Sequence, residues 1–470
     1  MNYEELGFRC GLEIHSQLEG KKLFCSCKTE IVDGKPDIIF RRKLRTTAGE
    51  AGEIDIAAAA EMAKGKYFVY HFYDKSNCLV DMDEEPPHPV NQEALKIAIT
   101  VANLMHMKVV DEIQFMRKIV IDGSNVSGFQ RTALVARDGY IETSKGKVSI
   151  QTLCLEEEAA KTVERTKEYD VYNISRLGIP LLEIATGSEI KDPEHAKETA
   201  EKIGLILRSV HGMKRGIGSI RQDVNISIKG GARTEIKGFQ EFKLIPKVIE
   251  FEIQRQQELI SKKQKVEPNV RKAEENGTTT YLRPLPGAAR MYPETDIPLI
   301  VPEEVKVEKV ELIEEKAARF EKIGIHKDLA KTLAKSDETE FVDFLIKEHK
   351  NINPAYIAEL VLTAEAQIKK QFNVDVKIHR KTYNDLFAVL EKGLISKDSV
   401  LEILKENKPV AEIVDKYKLI SDEDLEKELR RIIDQNKGMP FKALIGKAME
   451  KLRGKADGKK IIEKLKKLSD

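Results

Sequence analysis

Hydrophobic positions in residues 1–300 recur in short runs at a spacing of two. From Phe8 the apolar positions are Phe8, Cys10, Leu12 and Ile14, while Gly11, Glu13, His15 and Gln17 occupy the other face. Period two marks a strand that turns one face to a core. KVSIQTLCL alternates in the same way. In DVNISI, Val224, Ile226 and Ile228 oppose Asp223, Asn225 and Ser227. In RTEIKGF, Arg233, Glu235 and Lys237 alternate with Thr234 and Ile236, and in IPLLEIA Glu183 lies opposite Leu182 and Ile184. Gly, Asp and Asn interrupt these runs at short intervals, as turns between strands require. One helix stands out in this region, DPEHAKETAEKIGLILRSVHG, with Asp192 as N-cap, Pro193 at N1 and Gly212 as the stop. Ala196, Ala200, Ile203, Leu207 and Val210 keep helical spacing on one side.

Residues 261–300 are rich in Pro and Gly without sustained periodicity, which predicts a connector. Beyond about residue 301 the pattern changes to Lys/Glu-rich amphipathic helices. SDEDLEKELRRII opens with a capping box, Ser421 with Asp424, and continues with a stripe of Leu425, Leu429, Ile432 and Ile433. The expected fold class is α+β: a mainly antiparallel sheet over 1–300, an all-α domain over 301–405, and a small helical tail over 406–470.

Composition narrows the class. With 41% hydrophobic residues among 470 there is material for real cores, and no run of eighteen apolar residues occurs. The N-terminal MNYEELGF is acidic and poor in apolar residues, so a cytoplasmic protein without a signal peptide is expected. Five scattered cysteines do not make a disulfide framework. Lys and Arg number 79 against 78 Asp and Glu, so net charge selects no partner. Residues 451–470, however, hold eight Lys/Arg against three acids, which suits contact with an RNA backbone as well as a solvated helix face.

The polar faces carry the chemistry. LCLEEEAAK ends another strand-like run in Glu156, Glu157 and Glu158. If these strands share a sheet with their polar faces on one side, Glu13, His15, Glu157, Glu183, Asp223 and Glu235 converge. Two carboxylates about 5 Å apart repel by roughly 3 kcal/mol at an effective dielectric of about 20, so such a basin needs counter-charge. Oxygen donors with one imidazole suit Mg²⁺ or Mn²⁺ better than Zn²⁺. A pair of such ions clamping a phosphate chain is a recurring arrangement in phosphoryl transfer. Arg117 and Lys118 in MRKIVIDGSN, and Lys214, Arg215 and Arg221 around Gly216 and Gly218, are basic groups available to phosphate. Neither G-x-x-x-x-G-K-[ST] nor G-x-G-x-x-G occurs, which excludes a P-loop. Periodicity alone leaves a plain wet sheet face open. Cys25 and Cys27 have the spacing of half a zinc site, but no second pair follows at suitable spacing, so buried or loop thiols are the plainer reading. His88 sits in a Pro-rich loop and reads as structural or exposed.

GLEIHSQL, LEEEAAK, RLGIPLLEIATGSEI, SIRQDVNISI, RTEIKGF, PLPGAARMYPETDIP and GKAMEKLRGKAD, in this order, resemble the B/E subunits of tRNA-dependent amidotransferases across nearly the whole chain. RRKLR, CLVDMDEEPPHPVN and MRKIVIDGSNVSGFQRT are most similar to the archaeal E type, that of glutamyl-tRNA(Gln) amidotransferases. The resemblance implies a glutamine-synthetase-like cradle followed by helical, tRNA-binding parts. It implies that ATP phosphorylates the glutamate side chain of Glu-tRNA(Gln) and that ammonia displaces the phosphate to give Gln-tRNA(Gln). By motif position, His15, Glu157 and Glu183 would hold one Mg²⁺, and Glu13, Asp223 and Glu235 the second, on the ATP side. Arg117, Lys118, Arg221 and Lys237 would contact phosphate, and Gly11 would leave room beside the ligands. Lys451, Arg453, Lys455, Lys459 and Lys460 would contact tRNA. An asparaginase-like D subunit would supply ammonia; the B-type alternative is an amidase-type A subunit with a small C subunit, acting on Glu-tRNA(Gln) or Asp-tRNA(Asn). A non-catalytic tRNA-binding scaffold and a small-metabolite carboxylate–amine ligase are the rival functions.

The archaeal E type carries an inserted domain similar to one in aspartyl-tRNA synthetases. Here LISKKQKVEP runs almost directly into NVRKAEENGTTTYLRPLPGAARMYPETDIP, which leaves no room for it.

Overall fold

The computed structural model describes residues 2–49, 52–216, 218–239, 241–285, 291–302, 305, 310–436, 438–452, 455–456 and 458–469. The chain divides into two compact units, residues 1–312 and 313–470. The first is α+β and the second is helical, as the periodicities require.

An eleven-stranded sheet dominates the first unit. Across it run Thr279–Pro284, Asn269–Ala273, Thr234–Phe239, Ile220–Ser227, Arg9–Gln17, Pro180–Thr186, Gly146–Glu157, Phe129–Thr143, Phe115–Ile119 and Met291–Pro293, with Lys108–Val109 also paired to Phe129–Thr143. The pairings are antiparallel except that of Thr234–Phe239 with Asn269–Ala273, which the helix Leu244–Ser261 joins as a crossover. The five alternating segments singled out in the sequence are therefore consecutive neighbours in one sheet. Leu12, Ile14, Leu182, Ile184, Val224, Ile226 and Ile236 share a core with the helices Gln92–Leu104, Pro193–Ser209 and Leu244–Ser261. Each such side chain contributes about 1.5–3 kcal/mol on full burial, which fixes which face the strands turn inward. Glu13, His15 and their neighbours are thereby turned to the other face.

The helix Pro193–Ser209 starts as expected: the Asp192 carboxylate accepts the His195 N–H at 2.9 Å. It ends at Ser209, ahead of Gly212, which adopts φ +85°. Three further helices, Ile56–Ala63, Gln92–Leu104 and Leu244–Ser261, lie in this unit beyond the one expected from the sequence.

The stretch 261–300, expected to be a connector, instead supplies the strands Asn269–Ala273, Thr279–Pro284 and Met291–Pro293. The last two lie at opposite edges of the sheet. Laid flat, ten strands would put the edges about 43 Å apart. Seven residue steps, from Pro284 to Met291, span at most about 25 Å. The sheet must therefore be curled, and its polar face is the inside of the curl. A separate four-stranded sheet, Ile38–Arg42, Tyr67–Phe72, Tyr169–Asn173 and Lys161–Arg165, packs Phe68, Tyr70 and Tyr172 into a smaller aromatic core.

In the second unit the apolar residues form two clusters, one from Phe320 to Ile413 and one from Leu425 to Leu465. The helix Val410–Tyr417, placed in the tail from the sequence, contributes Val410 and Ile413 to the first cluster. Asp422–Gln435 begins with the expected cap, Ser421 Oγ accepting the Asp424 N–H at 3.1 Å, and buries Leu425, Leu429 and Ile432. Among the described residues, no helix is long and apolar enough to cross a membrane.

Candidate active site

The inside of the curl is a cavity of about 600 Å³ lined by Glu13, His15, Glu183, Asp223 and Glu235, with Lys118, Arg221 and Lys237. Strand register explains the convergence. His15 on the central strand Arg9–Gln17 stands opposite Glu183 on one neighbour and Arg221 on the other. Two residues back, Glu13 stands opposite Asp223, and Asn225 pairs with Glu235 on the next strand. Paired residues in an antiparallel sheet project to the same face. Two rows of ligating side chains result, one residue pair apart along the strands.

In the first row His15 Nε2 donates to Glu183 Oε2 at 3.3 Å. Lys118 Nζ lies 2.5 Å from Glu156 and 3.6 Å from Glu183. Thr132 and Gln130 also donate to the Glu156 carboxylate. In the second row carboxylate oxygens of Glu13, Asp223 and Glu235 all lie within 4.8 Å of one another. Lys237 Nζ reaches Asp223 at 2.7 Å and Glu235 at 2.5 Å. Behind the rows, Arg221 donates to Glu158 at 2.5 Å, and Gln17 to the same oxygen at 2.8 Å.

The electrostatics follow from crowding. Burial, then the charges of Glu183 and Glu235, hold the Glu13 carboxyl above its ordinary value against the pull of Lys237 and His15. Burial and Glu183 raise Glu156 in the same way. Burial also opposes ionisation of Glu183, but Lys118 and the hydrogen bond and charge of His15 outweigh it and push its pKa down. Burial opposes protonation of His15, and the hydrogen bond and charge of Glu183, with Asp223 and Glu156, overcome it, so the imidazole pKa is raised. Burial works against the Lys237 ammonium too, and Asp223 and Glu235 more than compensate. Glu158, held by Arg221 and Arg176 against burial, is pushed down.

Two expected residues lie elsewhere. Glu157 shares the strand face of Leu155, away from the cavity, and its carboxylate faces the Arg131 guanidinium at 3.4 Å and accepts the Arg131 N–H at 3.2 Å. Register puts its neighbour Glu156 into the row beside Glu183 instead. Arg117 likewise points away from Lys118: it bonds Glu294 at 2.6 Å and Asp296 at 3.0 Å and lies over the Phe129 ring. Gly11 leaves space for backbone rather than for a ligand, since a Cβ there would lie 3.0 Å from the Gly187 carbonyl oxygen. The sequence reading also left out Asp55 and Glu61, at the two ends of the helix Ile56–Ala63, and Arg283, all of which line the cavity.

Of the tail residues, Lys451, Lys455, Lys459 and Lys460 are exposed, with Lys460 3.1 Å from Asp422 and Lys451 3.9 Å from Glu428. Arg453 lies outside the described residues.

The donor set fits divalent cations. Carboxylates and one imidazole supply hard ligands, and burial with mutual repulsion raises the pKa of Glu13 and Glu156, a crowding that added positive charge would relieve. Such an arrangement can gather polyphosphate and neutralise it.

A family model described as the GatB/GatE catalytic domain matches residues 8–308, and one described as the GatB domain matches residues 340–468. Among curated proteins, the chain is 38% identical to the E subunit of the glutamyl-tRNA(Gln) amidotransferase of Methanocaldococcus jannaschii, over 99% of each. It is 36% identical to that of Archaeoglobus fulgidus over 99% of this chain and 98% of the relative, and 35% identical to that of Thermococcus gammatolerans over 97% of each. The first alignment runs over 624 positions, whereas this chain has 470 residues, so the relative carries internal residues with no counterpart here.

Proposed function

Since the chain belongs to the GatB/GatE family, we propose that it is the component of a tRNA-dependent amidotransferase that activates the glutamate side chain of Glu-tRNA(Gln) with ATP and amidates it with ammonia. The observation that carries the reading is the meeting of His15, Glu183 and Glu156 in one row and Glu13, Asp223 and Glu235 in the next, inside one cavity.

A carboxylate resists attack by ammonia because its leaving group would be oxide. Transfer of the γ-phosphoryl group makes an acyl phosphate and ADP, and ammonia then expels phosphate as the amide forms. Two Mg²⁺ ions, one held by His15, Glu156 and Glu183 and one by Glu13, Asp223 and Glu235, would neutralise phosphate oxygens and let two anions approach. The chain's own groups orient the reactants. The hydrogen bond from His15 fixes the Glu183 carboxylate, and Lys118 holds Glu156 close to it. Lys237 spans Asp223 and Glu235 and keeps both aimed into the cavity. Lys118, Arg221 and Lys237 supply cationic N–H donors around the phosphate path, where positioning contributes much of the rate.

The proposed ammonia donor is an asparaginase-like D subunit, the partner that the resemblance to the E type implies, ahead of the A and C pair. The exposed tail lysines are the proposed tRNA contact, and the expected compartment is the cytoplasm. The test is direct: the chain with Glu-tRNA(Gln), ATP, Mg²⁺ and ammonium should yield Gln-tRNA(Gln). Binding of tRNA without amide formation would support a scaffold instead, and turnover independent of tRNA would support a small-molecule ligase.

A further inference from the structure

Outside the two rows the described cavity lining includes the acids Asp55, Glu61, Asp122 and Glu158. Three of them already have work within the chain. Glu158 takes Arg221 at 2.5 Å, Glu61 pairs with Lys64 at 2.6 Å, and Asp55 caps the helix Ile56–Ala63 by accepting the Ala58 N–H at 3.0 Å. Asp122 differs. It lies four residues beyond Lys118, on the run that leaves strand Phe115–Ile119, and among the described residues it makes no ion pair.

Its placement is fixed from several sides. The Ser124 N–H and hydroxyl both donate to Asp122 Oδ1, at 3.0 and 2.6 Å, and among the described residues no donor reaches Oδ2. The second sheet pins the backbone. Tyr172 on strand Tyr169–Asn173 donates its hydroxyl to the Asp122 carbonyl at 2.7 Å, and Tyr70 on Tyr67–Phe72 donates to the Gly123 carbonyl at 2.9 Å. Both tyrosines are buried. Gly123 adopts φ +86°, and a Cβ there would lie 2.2 Å from the Phe68 ring, so the turn closes directly on that sheet. The Ala160 N–H holds the Ser124 carbonyl at 2.8 Å. A carboxylate fixed in this way offers its second oxygen to whatever enters the cavity.

The substrate carries the complement. In a glutamyl ester of tRNA the α-carboxyl is bonded to ribose. The glutamyl group then has one anion, the side-chain carboxylate, and one cation, the α-ammonium, two methylenes further along. The rows would hold divalent cations, and Lys118, Arg221 and Lys237 face anions, which leaves the ammonium to Asp122. Lys118 and Asp122 are four residue steps apart, at most about 14 Å. The lysine side chain, an extended glutamyl group and the aspartate together bridge that span.

We propose that Asp122 is the subsite for the α-ammonium of the esterified glutamate, with Ser124, Tyr70 and Tyr172 as the residues that position it. The inference rests on the reading of the reaction given above. It makes the cavity selective for a free aminoacyl ester over one whose nitrogen is blocked or replaced, because a fixed carboxylate left without its cation is poorly compensated.

The test uses the full chain with ATP, Mg²⁺ and ammonium. The tRNA(Gln) carries either glutamate or 2-hydroxyglutarate esterified at C1, in which a hydroxyl replaces the ammonium. The parent should favour glutamate in kcat/KM by about 10–100-fold, the range of one charge-assisted hydrogen bond. Asp122→Asn keeps an acceptor for both Ser124 bonds, and circular dichroism should show a folded chain. It should lose about 10–100-fold with glutamate and about threefold or less with 2-hydroxyglutarate, so that the preference collapses. Tyr172→Phe should show a smaller loss, again confined to glutamate. Equal losses on the two acyl groups, a raised Mg²⁺ requirement in Asp122→Asn, or no preference in the parent would each overturn the assignment while leaving the reaction standing. If the parent forms no Gln-tRNA(Gln) at all, the reaction falls and the subsite with it.

Discussion

Glu156 and Glu157 are adjacent in the chain and face opposite sides of the sheet. Glu156 meets Lys118 at 2.5 Å inside the cavity, and Glu157 faces Arg131 outside it. Glu156→Gln should therefore reduce ammonia-dependent Gln-tRNA(Gln) formation by about 10²–10³-fold, with tRNA affinity unchanged. Glu157→Gln should leave turnover near that of the parent and lower stability by about 1–3 kcal/mol through a weakened buried pair. Single-turnover assays beside denaturant melts separate the two, and the reverse pattern would return Glu157 to the site.

Arg117 and Lys118 make a second such pair. Lys118→Met removes the cation between Glu156 and Glu183, so turnover should fall by about 10–10²-fold while less Mg²⁺ is needed for half-maximal rate, because an internal competitor is gone. Arg117→Met should alter melting rather than turnover, since its partners Glu294 and Asp296 are not in the cavity lining.

The pH dependence of stability has a definite sign. Glu13, Glu156 and His15 are held above their ordinary values, so the native chain retains protons that the unfolded chain releases. Their contribution to metal-free stability is present below the unfolded values, near about 4.3 for Glu and 6.5 for His, and is lost as pH rises through the raised ones. Glu183 and Glu158, pushed down, contribute above the unfolded Glu value and lose that contribution as pH falls. Mg²⁺ bound as proposed would displace the retained protons, so its increment in melting temperature should grow from about pH 5 to about pH 8. Glu13→Gln should flatten the trend. An increment largest at the acid end would contradict cation binding by these acids.

Replacing Lys451, Lys455, Lys459 and Lys460 by Ala should raise KM for tRNA and leave kcat intact. It should also shallow the dependence of log Kd on log salt by up to about one per lysine in phosphate contact. Filter binding across a salt series measures this, and an unchanged slope would remove the tail from the interface.

Alternation made the sheet legible. Leu12, Ile14, Leu182, Ile184, Val224 and Ile226 mark the buried face, and their polar neighbours do meet. The same rule, followed from Leu153 and Leu155, puts Glu157 with the apolar residues and Glu156 in the cavity; assignment by motif position overrode it. The helix Leu244–Ser261 also carries its signal, Ile245, Val248, Ile249, Glu252, Ile253 and Gln256, in helical spacing. The edge strands were hidden for a different reason. Asn269–Ala273 pairs with Thr234–Phe239 across a whole helix, and Met291–Pro293 with Phe115–Ile119 far up the chain, so no local pattern announces them.

The short covalent run from Pro284 to Met291 sets a ceiling on the basin's girth. Seven residue steps reach no further than about 25 Å, so the rims that carry Pro284 and Met291 cannot part beyond that while the chain is whole. A single backbone cut between those two residues would lift that ceiling, with every strand pairing left in place.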